Sequence, residues 1–376
     1  MTNRQRLQAI LSGQAPDRIP WIPRLQIWYD AQQARGTMPE KYRGWSVREI
    51  ERDLRMGTPA REGVVFRTEL RGVDVQVEQQ GNDTITRYIT PVGAVSTRQR
   101  RSEVLALGGI GTAMEIEHMI KGPEDYPVAE YIISHTEIIP TYDEFVAYDA
   151  AIGDDGLPMT PAGPDPMYRI ARELIGFNQV FYHIADYPDL ISHLLEVVKE
   201  YDARLQQVVL DSPAYMVLYG EHFDSLMTPP PFFRKYQLGH FQAFADRLHA
   251  RGKRLVGHAD ADTSRLLELL KESGYDVLET FVTAPMVPIT LAQARAVLGT
   301  EVVIWGGVPS VILCDPVSDE AFEAYMRDLF RTIVPGDAFI LGVADNVMAE
   351  SKLERLEAIS AMVERYGAYP VRSSRN

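Results

Sequence analysis

The chain has 376 residues, 45% apolar and 24% charged, a globular composition long enough to bury a large core. Its formal net charge of -14 at pH 7 repels phosphate backbones and anionic membranes, which argues against nucleic acid and membrane as partners. A single cysteine, Cys314, excludes an internal disulfide framework; with the polar opening MTNRQRLQAILSG and no long apolar run, it points to a cytoplasmic protein without a membrane span.

Residues 3–12 carry the pattern of a short amphipathic helix, followed by the turn Gly13-Gln14-Ala15-Pro16-Asp17 and an extended run from Arg18 to Ile22. Residues 23–63 read as a helix with long loops. This amino-terminal segment holds Arg18, Arg24, Arg35, Lys41 and Arg43, and guanidinium groups bind carboxylates bidentately. Arg24 and Arg35 are the candidates for holding an acidic substrate, although a solvated surface accounts for such residues equally well. Trp28, with Trp21 and Trp45, offers a stacking surface or simple packing. From Val64 to Thr97 the texture turns to β, with Gly81-Asn82-Asp83 as a turn signal. A small antiparallel hairpin appendage on one domain spanning 1–376 is the expected organisation.

Downstream, helical patterns over 141–152, 188–210, 231–251, 263–273, 291–298, 319–332 and 350–366 alternate with short apolar runs at 215–219, 254–257, 275–278, 302–305 and 338–341. Repeated strand-then-helix units imply parallel strands covered by helices. No GxGxxG follows the first strand, and polar residues cluster after several different strands. An α/β fold of the (β/α)8 barrel type is therefore expected, its site shared among strand ends.

The strand ends carry the chemistry. His258 and Asp260 follow one run, Glu279 ends the next, and Cys314 lies in the loop after the run at 302–305. Imidazole, carboxylate and thiolate meeting at one mouth suit zinc, with Asp260 as a fourth ligand or as a support for His258. A lone cysteine also fits a small buried hydrophobe. A second cluster, Tyr219-Gly220-Glu221-His222-Phe223-Asp224, places Glu221, His222 and Asp224 as candidates for proton handling and Tyr219 for substrate contact. Asp345 and Asn346, after the last run, are candidates for substrate hydrogen bonds or an Asx turn.

The fragments APDRIPW, ARGTMPEKYRG, GYDVLE, WGGVPSVILCDP and ERLEAISAMVERYG together resemble the uroporphyrinogen decarboxylase superfamily over nearly the whole chain. The resemblance implies a (β/α)8 barrel with its cleft at the carboxyl ends of the strands. It covers two activities: decarboxylases without a metal, and zinc methyltransferases that exchange methyl groups with corrinoids and thiols. The methyltransferases hold zinc by His-x-Cys, a later Glu and a distant Cys. His258, Glu279 and Cys314 match that set, and Asp260 stands where the first Cys would be. The Leu-Gly-His-Gly of the decarboxylases is replaced by Leu341-Gly342-Val343-Ala344. The resemblance thus implies a zinc-dependent methyltransferase passing methyl from a small, methoxy-aromatic type of donor to a corrinoid on a partner protein. A metal-independent decarboxylase of an acidic aromatic or tetrapyrrole-like substrate is the alternative. Family analogy adds a homodimer.

Overall fold

The computed structural model describes residues 1–220 and 222–372. Its strands are β1 (Phe66–Leu70), β2 (Asp74–Gln80), β3 (Asp83–Thr90), β4 (Gly93–Arg100), β5 (Met114–Glu117) and β6 (Thr136–Pro140) in the first half. The second half supplies β7 (Met159–Pro161), β8 (Met216–Leu218), β9 (Arg254–His258), β10 (Val277–Phe281), β11 (Val303–Pro309) and β12 (Phe339–Ala344).

Strands β7 to β12 form a six-stranded parallel sheet in sequential order. Helices sit between successive strands, among them Pro188–Asp211, Leu238–His249, Leu291–Leu298 and Asp319–Thr332. Every residue of β10, β11 and β12 is buried, as expected of strands covered on both faces. The two sheet edges are not left bare. Pro20 to Ile22 exchange backbone hydrogen bonds with Leu341 of β12, Gly57 N donates to Trp21 O, and Met159 N of β7 donates to Ala60 O. The architecture is α/β and barrel-like.

Side chains alternate along each strand, and the two faces fall into separate cores. One core collects Met159, Met216, Val256, Val277, Val303, Trp305 and Ile340 from the six strands, together with Leu7, Ile10 and Leu11 of the helix Asn3–Leu11. That helix, started by a Thr2–Gln5 capping box, closes the end opposite the strand termini. The other core, including Leu255, Leu278 and Ile304, packs under the outer helices. The period of two then decides the site: His258 stands two residues after Val256, and Glu279 two after Val277, so both face inward at the carboxyl end.

A second, antiparallel sheet has the order β2-β3-β4-β5, and β1 pairs with β6. It runs to Glu117, past the expected 64–97 span, because β4 continues to Arg100 and pairs with β5 beyond an intervening helical turn. The helical pattern over 231–251 is two helices, Pro230–Tyr236 and Leu238–His249. They separate at Gln237, whose buried side chain donates to Asp165 Oδ2 at 2.9 Å. Among the described residues, no helix is long and apolar enough to cross a membrane.

Candidate active site

In the parallel register His258 lies directly beside Glu279. Its Nδ1 is 2.5 Å from Glu279 Oε1 and 2.9 Å from Thr280 Oγ1. Arg61, just past the segment that hydrogen-bonds β7, donates Nη2 to the same Glu279 oxygen at 2.7 Å. Thr280 has φ 55, in the left-handed region, where the β10–β11 register also shifts. A β-branched residue held there costs about 1–3 kcal/mol, and such local strain and bulges gather at functional sites.

On its other side His258 Nε2 is 3.3 Å from Asp260 Oδ2, and His222 Nδ1 is 2.5 Å from that same oxygen. The two imidazoles meet edge-on, with ring centroids 5.1 Å apart. Burial alone would lower the His258 pKa, but the Glu279 and Asp260 carboxylates outweigh it and push it up to about 9. In this state His258 is an imidazolium held between two carboxylates. Burial would raise the carboxyl of Asp260, yet His222 and His258 hold it well below the usual range; Arg61 and His258 do the same for Glu279.

Arg61, His222 and His258 border a cavity of about 930 Å³. Its polar lining includes Arg24, Arg61, His222, His258, Asp345 and Asn346; Leu25, Ile27, Ile110 and Leu218 give it apolar walls. Arg24 pairs with Asp345, whose Oδ1 comes within 4.0 Å of His258 Nε2. Burial, with Arg61 close by, lowers the Arg24 pKa.

The donor set fits a metal ion. One ligand atom each from His222, His258 and Asp260 lie within 4.8 Å of one another, a spacing compatible with bonds of about 2.0–2.2 Å to one zinc. Asp260 Oδ1 is buried and has no hydrogen-bond partner among the described residues, as a carboxylate awaiting a cation would be. Glu279 occupies His258 Nδ1 and so leaves Nε2 for the metal, the carboxylate–histidine support common around such ions.

The remaining sequence candidates stand elsewhere. Cys314 joins no such group of three among the described residues: a 3-10 turn, Ser310–Leu313, carries it past β11, and its Sγ lies 3.7 Å from Ser310 O and 3.8 Å from Ser351 Oγ. Burial raises its pKa, which favours thiol over thiolate. Tyr219 is fully buried behind the mouth, with its hydroxyl 3.1 Å from Asp202 Oδ2 and 2.7 Å from His240 Nε2. Asp224 Oδ1 accepts from the Leu226 and Met227 amides in a local turn. Trp28 is buried and donates to Ser351 O, and Arg35 holds Leu107 O and Glu350. Glu221 lies outside the described residues. Arg61 has no sequence signal, since its partners are 197 and 218 positions away.

A model of the family described as Uroporphyrinogen decarboxylase (URO-D) matches residues 168–366, just over half of the chain and the part that supplies β8 to β12. Among solved structures, a methyltransferase from Methanosarcina mazei is similar in fold, with a TM-score of 0.58 at 14% identity over 97% of this chain and 99% of that one. No curated protein sequence matches the chain.

Proposed function

The chain belongs to the uroporphyrinogen decarboxylase family, and from that premise we propose that it is a zinc-dependent methyltransferase acting on a small, methoxy-aromatic type of donor. The observation that carries the proposal is the convergence of His222, His258 and Asp260, with the buried second oxygen of Asp260 unpartnered among the described residues. The proposal takes the fold to be a closed (β/α)8 barrel, supported by the hydrogen bonds of residues 20–22 and of Ala60 to the two sheet edges and by the Gly57–Trp21 bond that links those segments. It takes the acceptor to be a corrinoid carried by a partner protein; that assignment rests on the family resemblance, and the fold likeness to a methyltransferase is in keeping with it.

His222, His258 and Asp260 would hold the ion, with Glu279 and Arg61 behind them instead of in the ligand set. A zinc ion bound there supplies Lewis acidity at the oxygen that leaves with the donor's ring. The chain does the rest. Glu279 accepts the His258 Nδ1 proton and fixes the tautomer; Arg61 fixes Glu279. Leu25, Ile27, Ile110 and Leu218 supply apolar wall against a ring and exclude water, while Arg24, Asp345 and Asn346 orient its polar groups.

The test is metal content of protein purified without chelator, read beside His258→Ala and Cys314→Ser. The wild type is expected to carry about one zinc per chain, the His258 variant none, and the Cys314 variant the full complement. Protein that stays metal-free when zinc is supplied overturns the reading and favours the metal-independent decarboxylase, in which Arg24 and Arg61 would bind substrate carboxylates. Loss of zinc in Cys314→Ser alone would restore the thiolate to the ligand set.

A further inference from the structure

We infer that the cavity recognises a substrate by two polar groups of opposite sense: a polar hydrogen, O–H or N–H, given to Asn346, and an acceptor oxygen offered to Arg61. This rests on the methyl-transfer reading only in placing substrate in that cavity. Asn346 lies just beyond β12 and is 3% exposed. Its amide orientation is set from within, because Nδ2 donates to Asp345 Oδ2 at 2.7 Å. The other end, Oδ1, is therefore an acceptor, and it is buried without a partner among the described residues. Arg61 presents the complement. Its Nη2 is committed to Glu279, while Nε is buried and has no acceptor among the described residues.

Both residues line the same cavity as His222 and His258. A buried polar atom left without a partner costs about 1–3 kcal/mol, and a ligand that supplies the partner recovers it. A molecule lacking the polar hydrogen leaves Asn346 Oδ1 stranded, so the site rejects it more strongly than size alone would. The apolar walls suit a ring between the two polar contacts. The substrate class is a small aromatic bearing a free hydroxyl or N–H besides the oxygen that accepts from Arg61. A fully O-methylated aromatic is disfavoured by the same margin.

Calorimetric titration of two matched pairs tests this: 3-methoxyphenol against 1,3-dimethoxybenzene, and 3-hydroxybenzoate against 3-methoxybenzoate. The meta arrangement prevents an internal hydrogen bond from hiding the hydroxyl. In each pair the hydroxyl member is expected to bind roughly tenfold tighter or more. In Asn346→Ala that preference is expected to collapse, with the methylated member's affinity kept; in Asn346→Ser, which retains a small acceptor, part of it should survive. Arg61→Lys should weaken both benzoates alike. Equal binding within the pairs overturns the inference, as does a preference that persists in Asn346→Ala or a failure of all four probes to bind at millimolar concentration. Affinity is read independently of metal content and methyl transfer: a metal-free protein can pass this test, and a zinc-loaded one can fail it.

Discussion

Asp83, at the start of β3, receives Arg98 at 2.8 Å and Arg100 at 2.6 Å. Glu279, in β10, receives Arg61 at 2.7 Å and His258 at 2.5 Å. The distances are alike, and the settings are not. Arg98 and Arg100 have side chains 31% and 55% exposed on the antiparallel sheet, whose strand β2 is exposed at every position. Arg61 and His258 are 20% and 11% exposed, beside strand β10, which is buried throughout. Screening weakens a charge pair in the first setting; in the second, loss of one partner strands the others in a poorly solvated place. Geometry alone does not rank these clusters. Burial of the cations does, because the two carboxylates are themselves both nearly covered, at 6% and 2% exposed.

Removing each carboxylate separates the two settings most. Glu279→Ala leaves Arg61 and His258 without their shared partner and should cost about 3–5 kcal/mol in urea unfolding. Asp83→Ala should cost a small fraction of that, and equal losses would refute the ranking by burial. Packing offers a second contrast. A Cβ at Gly342 would come within 2.9 Å of the Trp305 ring and 3.2 Å of Ile22 O, so Gly342→Ala should destabilise by about 1–3 kcal/mol. Gly239, exposed on an outer helix with nothing within 4 Å, should instead gain about 0.5–1 kcal/mol as alanine.

A buried carboxylate without a direct ion pair among the described residues behaves differently again. Glu51, in the cavity wall, accepts from Thr58 Oγ1 at 2.6 Å, and burial pushes its pKa up to about 8 from an ordinary 4.5. The folded protein keeps this proton between those values while the unfolded chain has lost it. Stability therefore falls as pH rises from about 4.5 to about 8, by at most about 1.4 kcal/mol per pH unit from this group. Glu51→Gln should flatten the profile: it should match the wild type near pH 5 and exceed it at pH 8, as read from unfolding midpoints across that range. A profile unchanged by the substitution would show that Glu51 ionises normally.

The sequence was legible where one element decides the answer. The apolar runs of β9 to β12 stand out because both faces are buried, and their inward period of two delivers His258 and Glu279 to the mouth. The helices Leu291–Leu298 and Asp319–Thr332 fall where their patterns place them. Joining residues across the mouth was harder. His222 stood in a separate cluster from Asp260, because nothing local records that the loop after β8 folds against the loop after β9. Arg61 was invisible for the same reason. Cys314 looked like a ligand because residue type was legible, whereas the 3-10 turn that carries it toward Ser351 was not.

The helix Asn3–Leu11, packed at the end of the parallel sheet opposite the candidate site, also bears on how the protein is made. Leu7, Ile10 and Leu11 pack against side chains from every parallel strand, Ile340 included. During synthesis these three leave the ribosome roughly 330 residues before their last neighbour, a wait of roughly 20 to 70 s at ordinary translation rates. For that interval the helix has no finished seat, and its apolar face is open to chaperones or to other nascent chains.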